Sequence, residues 1–512
     1  VNDVRFNSNV WLIAAVCLFY LVPITSNLYV LTAWLAPALL LIYMYRERVK
    51  QSVPIALAFV SVVMIISNRS VIPGGLVVDS ITVLISTVML IVLLLLNKWV
   101  VTQTRHLASL LFFPLLMTSF EYFASYGNAF GTFNSTAYSQ LAIRPIAMLA
   151  SVFGIWGIVF IQYLFASLMA YTFQSGFRDG VRQHKRLLIS TITALLLLVG
   201  GGVVLESGQN QAETIKVTGI TPERIIWDDT ILQLFDQWGK TGFYDQLAEQ
   251  PALIEQINRI NEGLFLRTEQ ELEGGSSLIS WSEGASIVLE QEEEAFLRRL
   301  QSLSAVHGAV LVAGYVRINA PEGAKMDNQV VIIDADGTII AEYSKFSLVP
   351  GEERYFRKGE EPVPVVETAI GKIAAAICFD ADFPHRIREA GLQNPDVLII
   401  PSSDWESITP YHTEISAFRA IENQMPVLRV THAGMSAVYD GKGRKVAEMN
   451  DLDSDHGKVF TAELPLSDRK HTAYKIIGDL LPLLCGAASL LILTITVVVT
   501  IISKVRKVRT TF

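Results

Sequence analysis

The sequence predicts two folds in one chain: a polytopic α-helical membrane domain of about eight spans, and an α/β sandwich set between its last two spans. Three observations carry this. Hydrophobic residues make up 51% of the 512 positions and mean hydropathy is +0.39, which is membrane-protein territory. Charged residues still reach 18%, and they cluster outside eight apolar runs. The stretch 205–477 alternates strand-like and helix-like patterns, with Asp-Gly turns at Asp336-Gly337 and Asp440-Gly441.

The apolar runs fall at 10–25, 28–45, 53–67, 78–97, 107–124, 146–173, 186–204 and 479–503. Several are shorter than the ~20 residues a bilayer needs, so their ends lie within the flanking loops. The first run has no obvious small-residue cleavage site and reads as an uncleaved anchor. Loop charges set the orientation. Arg46, Arg48 and Lys50 follow span two, and Lys98 and Arg105 follow span four. Arg178, Arg182, Lys185 and Arg186 follow span six; Lys504, Arg506, Lys507 and Arg509 follow span eight. The alternate loops offer only Arg69 and Arg144. Basic loops stay cytoplasmic, so both termini are expected inside and 205–477 outside. The expected domains are 1–204 (seven helices), 205–477 (extracytoplasmic) and 478–512 (last span and basic tail). The outer loop 121–145 is long and aromatic, and Glu121 at its edge is costly unless paired or wet. It reads as an interfacial aromatic belt or as one wall of a lipid-facing cavity.

Within the outward domain, strands are expected at 215–219, 276–282, 308–316, 328–334, 338–344, 371–377, 396–400, 426–430 and 435–439. Helices are expected at 286–303, 384–391 and 411–424. Three chemically capable residues share one placement, just past a strand. Glu283 follows SSLISWS, Lys345 follows TIIAEYS, and Cys378 follows GKIAAAI. Cys378 taken alone reads first as a buried structural cysteine and second as a nucleophile held from below and open from above. Strand exits on one sheet edge let distant residues converge on a substrate. Together the three suffice for acyl transfer. Glu283 takes the thiol proton, Lys345 lowers the thiol's pKa and steadies an oxyanion, and Cys378 attacks.

The strings LISWSEGAS, YSKFSLVPGEERYF and AAICFDADFPHRIR resemble the three signature stretches of the nitrilase (carbon–nitrogen hydrolase) superfamily. That resemblance implies an αββα nitrilase-like sandwich with a Glu283–Lys345–Cys378 triad, and ISAFRAIENQMPVLRVTHAGMSAVYDGKGR extends it across roughly 215–465. Seven spans before such a domain and one after it, with the stretch AYSQLAIRPIAMLASVFGIWGIVF, further resemble the apolipoprotein N-acyltransferase family. Departures from that family are Ser282 before the acid, VPGEERYF after the lysine, Phe379-Asp380 after the thiol, and His432. The supporting glutamate is therefore Glu352 or Glu353, and Asp380 is a shorter supporting acid.

The implied reaction is ping-pong, through a Cys378 thioester. Its acyl donor is a membrane phospholipid, phosphatidylethanolamine by the family's habit, and its acceptor the α-amino group of a diacylglyceryl-cysteine on an apolipoprotein. Phe346, Leu348, Val349, Tyr355, Phe356, Trp405 and Tyr411 are the apolar residues expected to face substrate and keep water from the thioester. The competing readings are a membrane-tethered amidase of the nitrilase type and a catalytically idle binding module. No cofactor is expected. Eight histidines without ligand spacing point away from a metal, and a net charge of −8 points away from nucleic acid. A monomer is expected.

Overall fold

The computed structural model describes residues 8–509 apart from 21–28, 68–70, 72–74, 105, 128–129, 175–176, 208–212, 238–246, 248–249, 320–324, 455 and 468–470. Arg69 and Arg105, used above for orientation, lie outside the described residues. The chain forms two compact units. One comprises Val1–Asn128, Asn134–Gly208 and Ile477–Phe512; the other comprises Ala129–Phe133 and Gln209–Ile476.

The first unit is helical: α1 (Ser8–Tyr20), α2 (Tyr29–Arg46), α3 (Val49–Ser67), α4 (Gly75–Thr104), α5 (Phe112–Gly127), α6 (Arg144–Ala147), α7 (Ala150–Phe153), α8 (Ile155–Phe173) and α9 (Phe177–Glu206). Among the described residues, five stretches are long and apolar enough to cross a membrane: Ser80–Thr104, Leu107–Tyr126, Ile155–Phe173, Asp179–Glu206 and Leu480–Arg506. The expected runs at 28–45 and 53–67 form shorter apolar helices. The run at 146–173 is not one helix. Pro145 opens the short α6, and the chain breaks again at Gly154, whose φ of 62° no helix contains. Leu196, Leu197 and Val204 lie 66–73% exposed, a surface that hydrocarbon solvates and water does not. Polar groups are paired inward. Glu121 accepts from Tyr163 Oη at 2.8 Å and Ser135 Oγ at 3.1 Å, which supplies the partners its position demands.

The second unit is a two-sheet sandwich. In chain order it contains β1 (Thr214–Ile220), α10 (Arg224–Gln237), α11 (Pro251–Glu273), β2 (Leu278–Trp281), β3 (Ser286–Leu289), α12 (Glu293–His307), β4 (Val310–Ile318), β5 (Asp327–Ile333) and β6 (Ile339–Ser344). There follow β7 (Val365–Thr368), β8 (Gly371–Ala375), α13 (Pro384–Gly391), β9 (Val397–Ser403), α14 (Tyr411–Asn423), β10 (Val427–His432), β11 (Met435–Tyr439), β12 (Lys445–Asn450), β13 (Val459–Pro465) and α15 (Ala473–Ile477). The last helix, α16 (Leu480–Arg509), returns to the first unit. One sheet runs β13-β1-β2-β4-β5-β6 with β3 on β4; the other runs β12-β11-β10-β9-β8-β7.

The helix expected at 286–303 begins only at Glu293. Ser286–Leu289 is wholly buried and pairs parallel with β4, so its β-branched residues serve a sheet. α10 and α11 were not anticipated, nor were β7, β12 and β13. Parallel pairing matters most for the site. β8, β9 and β10 run together. β2 and β4 run together, and β6 shares their direction through two antiparallel pairings. Glu283, Lys345, Cys378, Ser403 and His432 therefore all sit at strand exits.

Candidate active site

Glu283 and Lys345 meet directly. Lys345 Nζ lies 2.7 Å from Glu283 Oε1 and 3.0 Å from Glu352 Oε1. Asn328 Nδ2, from β5, donates to Glu283 Oε1 at 2.7 Å. The Ser403 N–H, from the end of β9, donates to Glu283 Oε2 at 2.9 Å. These contacts let two buried charges persist without orphaned lone pairs. Gly314, on β4, makes room for the arrangement: a Cβ there would lie 2.2 Å from Ser282 O. Burial alone would push the Lys345 ammonium down. The Glu283 and Glu352 carboxylates outweigh it and hold the pKa well above the ordinary value, so Lys345 stays charged.

Cys378 opens a 3₁₀ turn, Cys378–Asp382, at the exit of β8 with φ of 45°. A non-glycine residue held there stores strain on the order of 1–3 kcal/mol, so the surroundings must over-determine it. Asp380 does much of that. Its carboxylate accepts from Ile377 N at 3.2 Å, Ser347 N at 2.7 Å and Tyr343 Oη at 2.8 Å. It thereby ties the thiol's turn to the loop after Lys345, and burial pushes its own pKa up. The thiol, expected to be open from above, is only 2% exposed and donates to Ser403 O at 3.7 Å. Nor is its pKa lowered. Burial and the Glu283 charge push it well above the usual value, and the opposing pull of Lys345 does not prevail. The resting sulfur is a thiol.

Of the two supporting glutamates, Glu352 reaches the site. Its Oε2 also accepts from Val349 N at 2.9 Å, and burial raises its pKa against the pull of Lys345. Glu353 points away; it is exposed and caps Gly351 N at 2.7 Å. A one-residue offset in a tight turn reverses the facing, which the sequence alone leaves open.

The apolar set disperses. Tyr355 stacks on Phe235 with centroids 4.3 Å apart, and Phe356 is buried in the core of the β2–β5 sheet. Phe346 is covered by Arg386, 3.2 Å from its centroid, and by Lys358 at 4.2 Å. Tyr411 is buried and donates to Phe133 O. Each of these side chains packs on protein neighbours. Leu348 packs on the same core, and Trp405 is half-buried beside the turn Glu406–Ile408.

Sequence reasoning missed a buried charge network beside the thiol. His412, on α14, has Nδ1 2.7 Å from Asp404 Oδ1 and Nε2 2.7 Å from Asp382 Oδ2. Arg429 Nη2 lies 3.1 Å from Asp404 Oδ1. Burial opposes a charge on His412, but Asp404 and Asp382 raise its pKa to about 9. The Asp404 carboxyl is held down by His412 and Arg429 against its burial. Cys378, Asp404 and His412 present ligand atoms within 4.8 Å of one another, the single such trio among the described residues. Both ring nitrogens already lie within hydrogen-bond reach of carboxylates, and Arg429 Nη2 stands 2.9 Å from Nδ1, so the trio belongs to a charge network. Its only sequence signal was PSSDW and PYH lying just past and just before regular elements. Trp227, on the unforeseen α10, donates Nε1 to Gly284 O at 2.8 Å and packs at a tilt against His432, with ring centroids 4.4 Å apart, beside the loop after Glu283.

Comparison with known proteins agrees with this architecture. Residues 264–474 match the carbon-nitrogen hydrolase family. A Rickettsia prowazekii protein named apolipoprotein N-acyltransferase is 26% identical over 368 residues, 66% of this chain and 67% of its own length. One of the same name from Geobacter metallireducens is 22% identical over 415 residues, 76% of this chain and 74% of its own. An amidase structure from Nesterenkonia sp. superposes with a TM-score of 0.36 at 18% identity, covering 51% of this chain and 94% of that one. The match to the carbon-nitrogen hydrolase family thus falls on the α/β unit that carries the cysteine, in a chain that also holds, among the described residues, five stretches long and apolar enough to cross a membrane.

Proposed function

We propose that this chain is a lipoprotein N-acyltransferase that works through a Cys378 thioester. The observation that carries the reading is the buried Glu283–Lys345–Glu352 cluster at the same strand exits as a strained cysteine, in a chain whose likeness to the acyltransferases extends into its membrane helices. Glu283 accepts the thiol proton as sulfur attacks the ester carbonyl of a phospholipid, phosphatidylethanolamine by preference. Lys345 faces the oxyanion of the tetrahedral adduct. Collapse breaks the ester C–O bond, and the lysophospholipid alkoxide leaves with the proton from Glu283. In the second half, the free α-amine of a diacylglyceryl-cysteine attacks the thioester and gives its proton to Glu283. Collapse breaks the C–S bond and returns that proton to the sulfur. Glu352 holds Lys345 on its other side. Both substrates are lipid-anchored, so tethering the catalyst raises their effective concentration. The unit 205–477 then faces the outer side, with both termini cytoplasmic, and the chain acts as a monomer.

The test is to incubate membranes with phospholipid carrying a labelled acyl chain and to look for a hydroxylamine-sensitive label on the protein. The wild type is expected to take it and Cys378→Ala to lose it. A label retained by Cys378→Ala sinks the mechanism. A wild type that stays unlabelled while hydrolysing a small amide supports the tethered amidase instead.

A further inference from the structure

His412 is placed where no step of the proposed chemistry uses it. It joins two things that must not move apart: Asp382, on the nucleophile's own turn, and Asp404, just past β9. One of its ring nitrogens lies within 4.8 Å of the Cys378 sulfur. The charged groups facing it are Asp382, Asp404 and Arg429, and aromatic rings cover it. Phe133 lies edge-on at 5.8 Å and Phe379 at 6.3 Å.

Phe133 belongs to a short segment, residues 130–133, carried between α5 and α6 yet packed into the α/β unit. That segment grips the same turn. Thr132 N and Oγ1 both donate to Asp382 O, at 2.9 and 2.6 Å. Tyr411 Oη donates to Phe133 O. Gly131, at φ 52°, approaches so closely that a Cβ would stand 2.8 Å from Asp382 O. Asp382 is thus held by its carboxylate from one side and its carbonyl from the other.

We infer that His412 is a positioning residue for Cys378, a charged clamp between the nucleophile's turn and the β9 exit, and that residues 130–133 lock and seal it. The inference rests on the reading of Cys378 as nucleophile. Loss of the clamp frees the turn to relax from its left-handed conformation, and it leaves Asp404, beside the sulfur, with Arg429 as its remaining cationic partner. Misplacing a nucleophile by about 1 Å costs on the order of 100-fold in rate.

The experiment uses the purified full chain in detergent, with phosphatidylethanolamine bearing a labelled acyl chain. A second readout needs no substrate: the pH profile of Cys378 alkylation by iodoacetamide, followed on its own peptide by mass spectrometry. His412→Gln is expected to slow acyl labelling about 100-fold at saturating lipid, with half-saturation within about twofold of wild type. It is also expected to move the alkylation profile to higher pH. Thr132→Val should slow labelling and Thr132→Ser should restore it. Wild-type labelling and an unmoved profile in His412→Gln overturn the clamp. Should His412→Gln fail to fold, the Thr132 pair decides: equal labelling by both variants overturns it. A wild type without hydroxylamine-sensitive label defeats the phospholipid acyltransferase reading instead, and the alkylation profile still judges the clamp.

Discussion

A buried thiol that stays protonated can attack only while a neighbour removes its proton, so the work at Cys378 shifts from a preformed thiolate to Glu283. Glu283 can act in this way because Lys345 and Ser403 N already hold its two oxygens in place. The two neighbouring glutamates separate at this scale. Glu352→Gln is expected to reduce acyl-enzyme formation by about 100-fold, whereas Glu353→Gln leaves it within about twofold, both read by the labelling rate. Lys345→Met leaves Glu283 and Glu352 buried without their cation. It should cost about 3–5 kcal/mol of stability, seen as a lower thermal midpoint in detergent. The three candidate residues at strand ends were legible because each follows directly on a strand-like run. Asp404, His412 and Arg429 were not, since each is an ordinary polar residue until folding removes its water. The packing partners of the aromatic residues after Lys345 were hidden for a similar reason: apolar character near a site says nothing of which neighbour it packs on.

The elements that the sequence made plain were those with a single periodicity. α13 and β11 fall at the expected bounds, and α14 ends one residue early. α11 was missed although Leu253, Ile257, Ile260, Leu264, Thr268 and Leu272 form one buried stripe, because its other face is rich in charge and its mean hydropathy is low. β7 and β12 fully bury none of their residues and belong to edges, where burial leaves little pattern. The split of 146–173 was signalled by Pro145 and Gly154 but outweighed by the run's apolar content. Close approach between β4 and the turn holding Glu283 yields a prediction of its own. Gly314→Ala forces Ser282 O away and should displace Glu283. Labelling is expected to fall by about tenfold or more, while far-ultraviolet circular dichroism stays unchanged.

Across the whole molecule, stability should carry the signature of His412. Its pKa is raised from 6.5 to about 9 in the folded state, so its contribution is complete below pH 6.5 and is lost as pH rises toward 9. The loss is roughly 3 kcal/mol. The thermal midpoint of the full chain should fall over that window, and His412→Gln should flatten the dependence. Orientation has its own test. In intact cells a membrane-impermeant thiol reagent should label Glu294→Cys, on the exposed face of α12, and should reach Lys504→Cys only after permeabilisation. Labelling in the reverse pattern inverts the topology.

The pairing of β13 with β1 has one more consequence. Thr214, at the start of the unit's first strand, stands opposite Pro465, at the end of its last. The two outermost strands in sequence are thus neighbours in space, and a short bridge suffices to close the unit on itself. A closed unit of that kind keeps both of its sheets, yet it comes away without residues 130–133, whose grip on Asp382 arrives from a distant part of the sequence.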